Sequence, residues 1–355
     1  MNAARAWVWT TVLVTAGALV SAVILAPPAG TPPLRALTWL LFVGSSVHVA
    51  STGWLFTLPA VRAYARHHTL RCLWVPVGLV GLGVTAAAVA SPAMFRWLLM
   101  PFFGWQFWHY QKQNIGVMAL AASAEGVAPL LPAERRPLQL AGASAIAALA
   151  ARPGLLGLRV APVAHALFPL AGAAYAIAVG AGLAAVAMRP RRRRTAGFCA
   201  TYAISLFFAI PVFCASSPYA AVGGMTVAHG LQYLLLVSLA ASADRRSRTY
   251  PIARLALLAN ISLIGGAALN WASHLHNALL PERLVFGAYV GIVMAHFVID
   301  AGLWRMRDPL ARHFVATHLP YLVPAVAERQ RQWAVERSSP NTASRTRPPM
   351  DRQPI

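Results

Sequence analysis

Four histidines, His48, His109, His229 and His296, each lie deep within a different long apolar segment. Imidazole is a neutral nitrogen donor suited to iron, copper and zinc, and it also carries protons near neutral pH. Two charged residues keep them company. Lys112 is the single lysine among 30 basic residues and lies in 105-WQFWHYQKQNIG-116, while Asp300 is the only carboxylate inside a predicted span. Insertion scales put a Lys or Asp at a helix centre at about 2.5–3.5 kcal/mol, so both are expected to face a bundle interior. Together these residues predict an internal polar site that binds a metal or moves protons.

Each histidine has polar neighbours three or four residues away, the spacing that shares a helix face. His48 has Ser45, Ser51 and Thr52; His109 has Gln106, Lys112 and Gln113; His229 has Thr226, Gln232 and Tyr233; His296 has Asp300. A ligating imidazole usually donates its second N–H to such a neighbour. The expected metal ligands are therefore His48, His109, His229 and His296. Around them Gln113 and Gln232 would contact the cofactor, and Lys112, Tyr233 and Asp300 form the catalytic set. Asp300 would orient His296, and Lys112 would bind an anionic group or the oxidant. Iron, as haem or non-haem, is the first expected cofactor, with copper and zinc as alternatives. No cysteine or methionine cluster suits a soft Cu(I) site, and the linear histidine boxes of di-iron desaturases are absent.

The chain is 355 residues long, 58% hydrophobic and 11% charged, and several apolar runs reach bilayer-crossing length. It predicts an all-α integral membrane protein of ten spans, at approximately 7–26, 36–58, 72–91, 95–122, 137–151, 161–187, 197–215, 218–241, 255–272 and 284–304. Arginines cluster at alternate connections: Arg62, Arg66 and Arg71; Arg135 and Arg136; Arg189 and Arg191 to Arg194; Arg245, Arg246, Arg248 and Arg254; Arg305 and Arg307. By the positive-inside rule both termini are cytoplasmic. The weak span 137–151 is needed to keep this alternation. On this map the four histidines share one depth to within about a turn, at 1.5 Å rise per residue. His67, His68, His313, His318, His274, His276 and His165 fall near the membrane surfaces instead.

Residues 1–309 form the transmembrane domain, and 310–355 form a basic cytoplasmic tail, partly disordered by its Pro, Ser, Arg and Gln content. The net charge of +21 lies largely in cytoplasmic loops and this tail. Membrane lipids with anionic headgroups are its natural partner, and no nucleic-acid partner is implied. Cys72, Cys199 and Cys214 show neither metal-ligand nor disulfide spacing. Arginine bias and abundant alanine suggest a bacterial origin and the cytoplasmic (inner) membrane.

The expected function is a membrane metal or haem oxidoreductase that oxidises a lipophilic substrate or passes electrons. The alternative is a transporter or proton relay built on the same His, Lys and Asp residues. Inverted repeats, a frequent transporter feature, are not visible, which favours an enzyme. A plain structural role, interhelical hydrogen-bond glue, is the third reading. WHYQKQNIG, AHGLQYL and HFVIDAGLWRMRDP have the look of family signatures. The plan of histidines on separate helices resembles that of bacterial membrane carotene oxygenases, which implies iron dependence, and of haem-binding polytopic proteins such as haem A synthase. No residue role is carried over from either.

Overall fold

A computed structural model of the chain describes residues 2–28, 31–158, 160, 166–243, 250–276, 279–306 and 308–328. His165, Arg159, Arg245, Arg246, Arg248, Arg307 and the tail after residue 328 lie outside the described residues. No strand occurs among the described residues. The main helices are α1 (Ala3–Ile24), α2 (Arg35–Leu55), α3 (Pro59–His67), α4 (Leu70–Val89), α5 (Pro92–Ala124) and α6 (Pro132–Ala151). They continue with α7 (Leu167–Met188), α8 (Ala196–Cys214), α9 (Tyr219–Ser242), α10 (Tyr250–Ser273), α11 (Leu280–Leu303) and α12 (Pro309–His318).

Local chemistry sets several boundaries. Ser91 accepts from the Met94 N–H ahead of Pro92, which starts α5 where its missing N–H costs nothing. Thr195 caps α8 at Phe198 N, and Asp308 caps α12 at Leu310 N. In α2 a π-turn at Phe42–Val47 lies directly before His48, and such turns re-aim the side chains that follow.

Among the described residues, eight helices are long and apolar enough to cross a membrane: α1, α2, α4 and α7 to α11. Each of the ten predicted spans overlaps a helix, with residues 161–165 of the sixth outside the described residues, but α5 and α6 fall outside the eight. The reason is composition: α5 carries Arg96, Lys112 and the amides of the polar stretch, and α6 opens with Glu134, Arg135 and Arg136. At 33 residues α5 extends for about 50 Å, more than the roughly 30 Å hydrocarbon core.

Apolar residues cover the outside, with Leu13, Ile24, Trp39, Leu82, Leu170, Ile177, Ile264 and Trp271 exposed. The interior holds Thr15, Ser46, Ser51, Thr52, Gln111, Asn114, Gln232 and Asp300, together with histidines. Water-soluble domains distribute polarity in the opposite sense. Tight helix pairs form through glycine. A Cβ on Gly230 of α9 would lie 2.0 Å from the Gly44 carbonyl oxygen of α2, and a Cβ on Gly83 of α4 would lie 2.2 Å from that of Gly287 in α11. Small residues allow this backbone approach where no hydrophobic driving force acts between helices in lipid. At one end of α6 and α7, the buried Glu134–Arg189 pair (3.4 Å) joins the helices, and Arg189 also donates to the Ala128 and Pro129 carbonyls.

Candidate metal centre

α2, α5, α9 and α11 each bring one histidine to a common point. The ring centres of His48 and His229 are 5.0 Å apart, His229 and His109 5.0 Å, His109 and His296 5.4 Å, and His296 and His48 5.1 Å. The four imidazoles thus form a closed ring of neighbours, as the shared depth in the sequence predicts. All four are sequestered: His229 is fully buried, His48 and His296 are 3% exposed, and the His109 side chain is 9% exposed.

The Nε2 atoms of all four are buried and have no hydrogen-bond partner. His48 and His229 also leave Nδ1 unpartnered; the His48 ring approaches the Gly44 and Ser45 carbonyls without reaching hydrogen-bond geometry. A buried polar atom without a partner costs about 1–3 kcal/mol, and here several are gathered at one point. Donor atoms of His48, His229 and His296 lie within 4.8 Å of one another, as do those of His109, His296 and Asp300.

A hydrogen-bond chain flanks the ring. Tyr233 OH donates to Asp300 Oδ1 at 3.0 Å, Thr52 Oγ1 lies 2.9 Å from Tyr233 OH, and the same oxygen lies 2.8 Å from His296 Nδ1. The other Asp300 oxygen, Oδ2, is 3.5 Å from His296 Nε2 and 4.0 Å from His109 Nε2. Of the expected Asp300–His296 pair, the structure shows a contact at Nε2 and not at Nδ1. That nitrogen belongs to Thr52, and the carboxylate stands beside Nε2 instead.

Most of the same-helix partners expected from i,i+3 and i,i+4 spacing go elsewhere. Ser45 and Ser51 bond to backbone carbonyls, those of Leu41 and His48. Thr226 bonds to the Val222 carbonyl, and Gln106 donates to Tyr110 OH. Gln113 donates to the His229 carbonyl and to Gln232 Oε1, both at 2.9 Å, and Gln232 donates to Thr15 at 2.8 Å. The two glutamines thus tie α5, α9 and α1 together beside the histidines and contact no imidazole nitrogen. An imidazole reaching into a convergence of helices meets residues of other helices, and shared-face spacing does not see them.

Lys112 corrects the expectation most plainly. Tyr110, Gln111, Asn114, Val117 and Met118 define the buried arc of α5. His109 sits at the margin of that arc, and Lys112, at about 100° per residue, falls about 60° beyond it. Its side chain is exposed, with Nζ 5.0 Å from the ring centre of Trp108. It pairs with neither Asp300 nor a histidine.

The sequence reading missed two aromatic supports. Tyr110 stacks on His229 (4.2 Å, 27°) and Phe297 stacks on His109 (4.6 Å, 26°). Each directly follows a site histidine in the chain, a signal available from the sequence. Thr52 was visible as a neighbour of His48, yet its hydrogen bond is to His296 from another helix. No family model, curated protein or solved structure matches this chain.

Proposed function

We propose that this chain is a ten-span integral membrane protein of a bacterial cytoplasmic membrane, with cytoplasmic termini, that holds one metal ion on His48, His109, His229 and His296. The observation that carries the reading is a ring of four buried imidazoles, neighbouring centres 5.0–5.4 Å apart, each with a buried Nε2 that has no hydrogen-bond partner. An imidazole nitrogen binds zinc-like ions at about 2.0–2.1 Å, which places its ring centre about 3.2 Å from the ion. Two such rings at a tetrahedral angle are then about 5.2 Å apart. The spacings of the four neighbouring pairs, 5.0–5.4 Å, lie close to that value.

Non-haem iron is the first candidate ion, with copper and zinc as the alternatives. A haem with two axial histidines fits less well, because each imidazole has two others within 5.4 Å, where the macrocycle would lie. Bound iron or copper would supply redox chemistry to a lipophilic substrate, whereas zinc could act only as a Lewis acid. The protein's own contribution is to hold four donors in place, exclude water and offer an apolar approach. That approach runs along the His109 margin, where Phe297 stacks on the ring and the partly exposed Trp105 packs on Phe297. Basic cytoplasmic loops would rest on anionic lipid headgroups.

The test is elemental analysis of detergent-purified protein together with a visible spectrum. About one iron, copper or zinc per chain without a Soret band is expected. Protein reproducibly free of metal after expression with each of the three supplied would sink the proposal. A proton or cation relay, the second reading, draws on the continuous Asp300–Tyr233–Thr52–His296 chain, and a transport assay would then come next. Lys112→Met is expected to leave metal occupancy unchanged and affinity within about twofold, since Lys112 sits outside the site. Loss of metal in that variant, measured by the same analysis, would return Lys112 to the centre.

A further inference from the structure

We infer that Asp300 is itself a ligand of the ion through Oδ2, and that Thr52 and Tyr233 hold it and His296 in the ligating pose. The inference deepens the four-histidine centre and rests on it. It begins with a count of protons. Tyr233 has one hydroxyl proton and gives it to Asp300 Oδ1. The contact between Thr52 and Tyr233 at 2.9 Å must then use the Thr52 proton. With that proton committed, Thr52 Oγ1 can only accept from His296 at 2.8 Å, so His296 Nδ1 carries its N–H. In the neutral imidazole this leaves a lone pair on Nε2.

That lone pair is 3.5 Å from Asp300 Oδ2, and the Nε2 atom of His109 is 4.0 Å from the same oxygen. Two electron-rich atoms facing each other in a dry interior require something positive between them. A shared proton would draw them to about 2.6–3.0 Å. Two donors bound to one ion at about 2.0–2.2 Å stand about 2.9–3.5 Å apart at octahedral to tetrahedral angles, and about 4.2 Å apart when opposed. The observed pair of distances falls in that range. The centre is thus four imidazoles and one carboxylate, a mixed nitrogen and oxygen set that favours Fe(II), Mn(II) or Zn(II) over Cu(I).

Thr52 and Tyr233 act as positioning residues. The chain fixes the His296 tautomer with Nε2 free and turns the carboxylate so that Oδ2 faces the ion. Outer partners of this kind are worth about 10–100-fold in metal affinity.

The experiment uses the full chain in detergent, stripped by chelator and reloaded with Zn(II) alone. Affinity is read by competition with a chromophoric chelator, and the ligand shell by X-ray absorption at the zinc edge. Wild type is expected to show four imidazoles and one oxygen. Asp300→Leu is expected to lose the oxygen and at least about 10-fold in affinity. Thr52→Val should keep the histidines but weaken binding about 10–100-fold, and Thr52→Ser should restore it. An Asp300→Leu protein with the wild-type shell and affinity overturns the ligand assignment and leaves the four-histidine centre standing. Wild-type affinity in Thr52→Val overturns the positioning role, and it is readable even if Asp300→Leu does not fold. A wild-type protein that takes up no Zn(II) overturns the centre itself.

Discussion

Replacing His229 by leucine is expected to abolish metal binding and, in the same protein, to raise the stability of the metal-free state. The two effects follow from one fact. His229 is fully buried and both of its ring nitrogens lack hydrogen-bond partners, a condition that the proposed ion would relieve. Leucine fills a similar volume and removes both unsatisfied atoms, each worth about 1–3 kcal/mol. Some packing with Tyr110, stacked at 4.2 Å, is lost in return. A gain of about 1–3 kcal/mol in unfolding free energy for metal-free protein is the expected sum. Thermal unfolding after chelation measures it, and elemental analysis measures the metal. A histidine serving only as structural glue would behave oppositely, with its replacement destabilising the metal-free protein.

The second large effect lies at a backbone contact. Gly230→Ala is expected to destabilise the protein by at least about 1–3 kcal/mol and to weaken metal binding at least tenfold. The new methyl would lie 2.0 Å from the Gly44 carbonyl oxygen and 2.7 Å from Gly44 Cα. Backbone cannot rotate out of the way as a flexible side chain can, so α2 and α9 must separate. These helices carry His48 and His229, whose rings are neighbours at 5.0 Å, so the separation opens the centre directly. Gly81→Ala in α4 is the control. Nothing lies within 4 Å of its added Cβ, and the change should be neutral or slightly stabilising through helix propensity. Equal behaviour of the two variants, in thermal unfolding and zinc titration, would remove the argument from close packing.

The comparison of Gly230 with Gly81 shows why part of this protein was legible in its sequence and part was not. Both are single glycines in apolar helical segments, and composition makes them equivalent. Only the neighbour across the interface separates them. The same holds for Lys112 and His109. Spacing of three residues puts them on adjoining parts of α5, yet the edge of the buried arc runs between them.

The helical nature of the chain, and the position of the eight helices long and apolar enough to cross a membrane among the described residues, followed from apolar run length, because a segment in lipid must satisfy its backbone hydrogen bonds within itself. The shared depth of His48, His109, His229 and His296 followed from a fixed rise per residue, which turns sequence position into height along a helix. Rotation about each helix and the choice of neighbours have no such rule. They depend on contacts between segments distant in the chain, such as Gly44 with Gly230 or Thr52 with His296. So the histidines could be read as a set from the sequence. That Thr52 serves His296, that Asp300 faces Nε2, and that Lys112 points outward were settled by tertiary packing, because side-chain partners are chosen across helices and not along them.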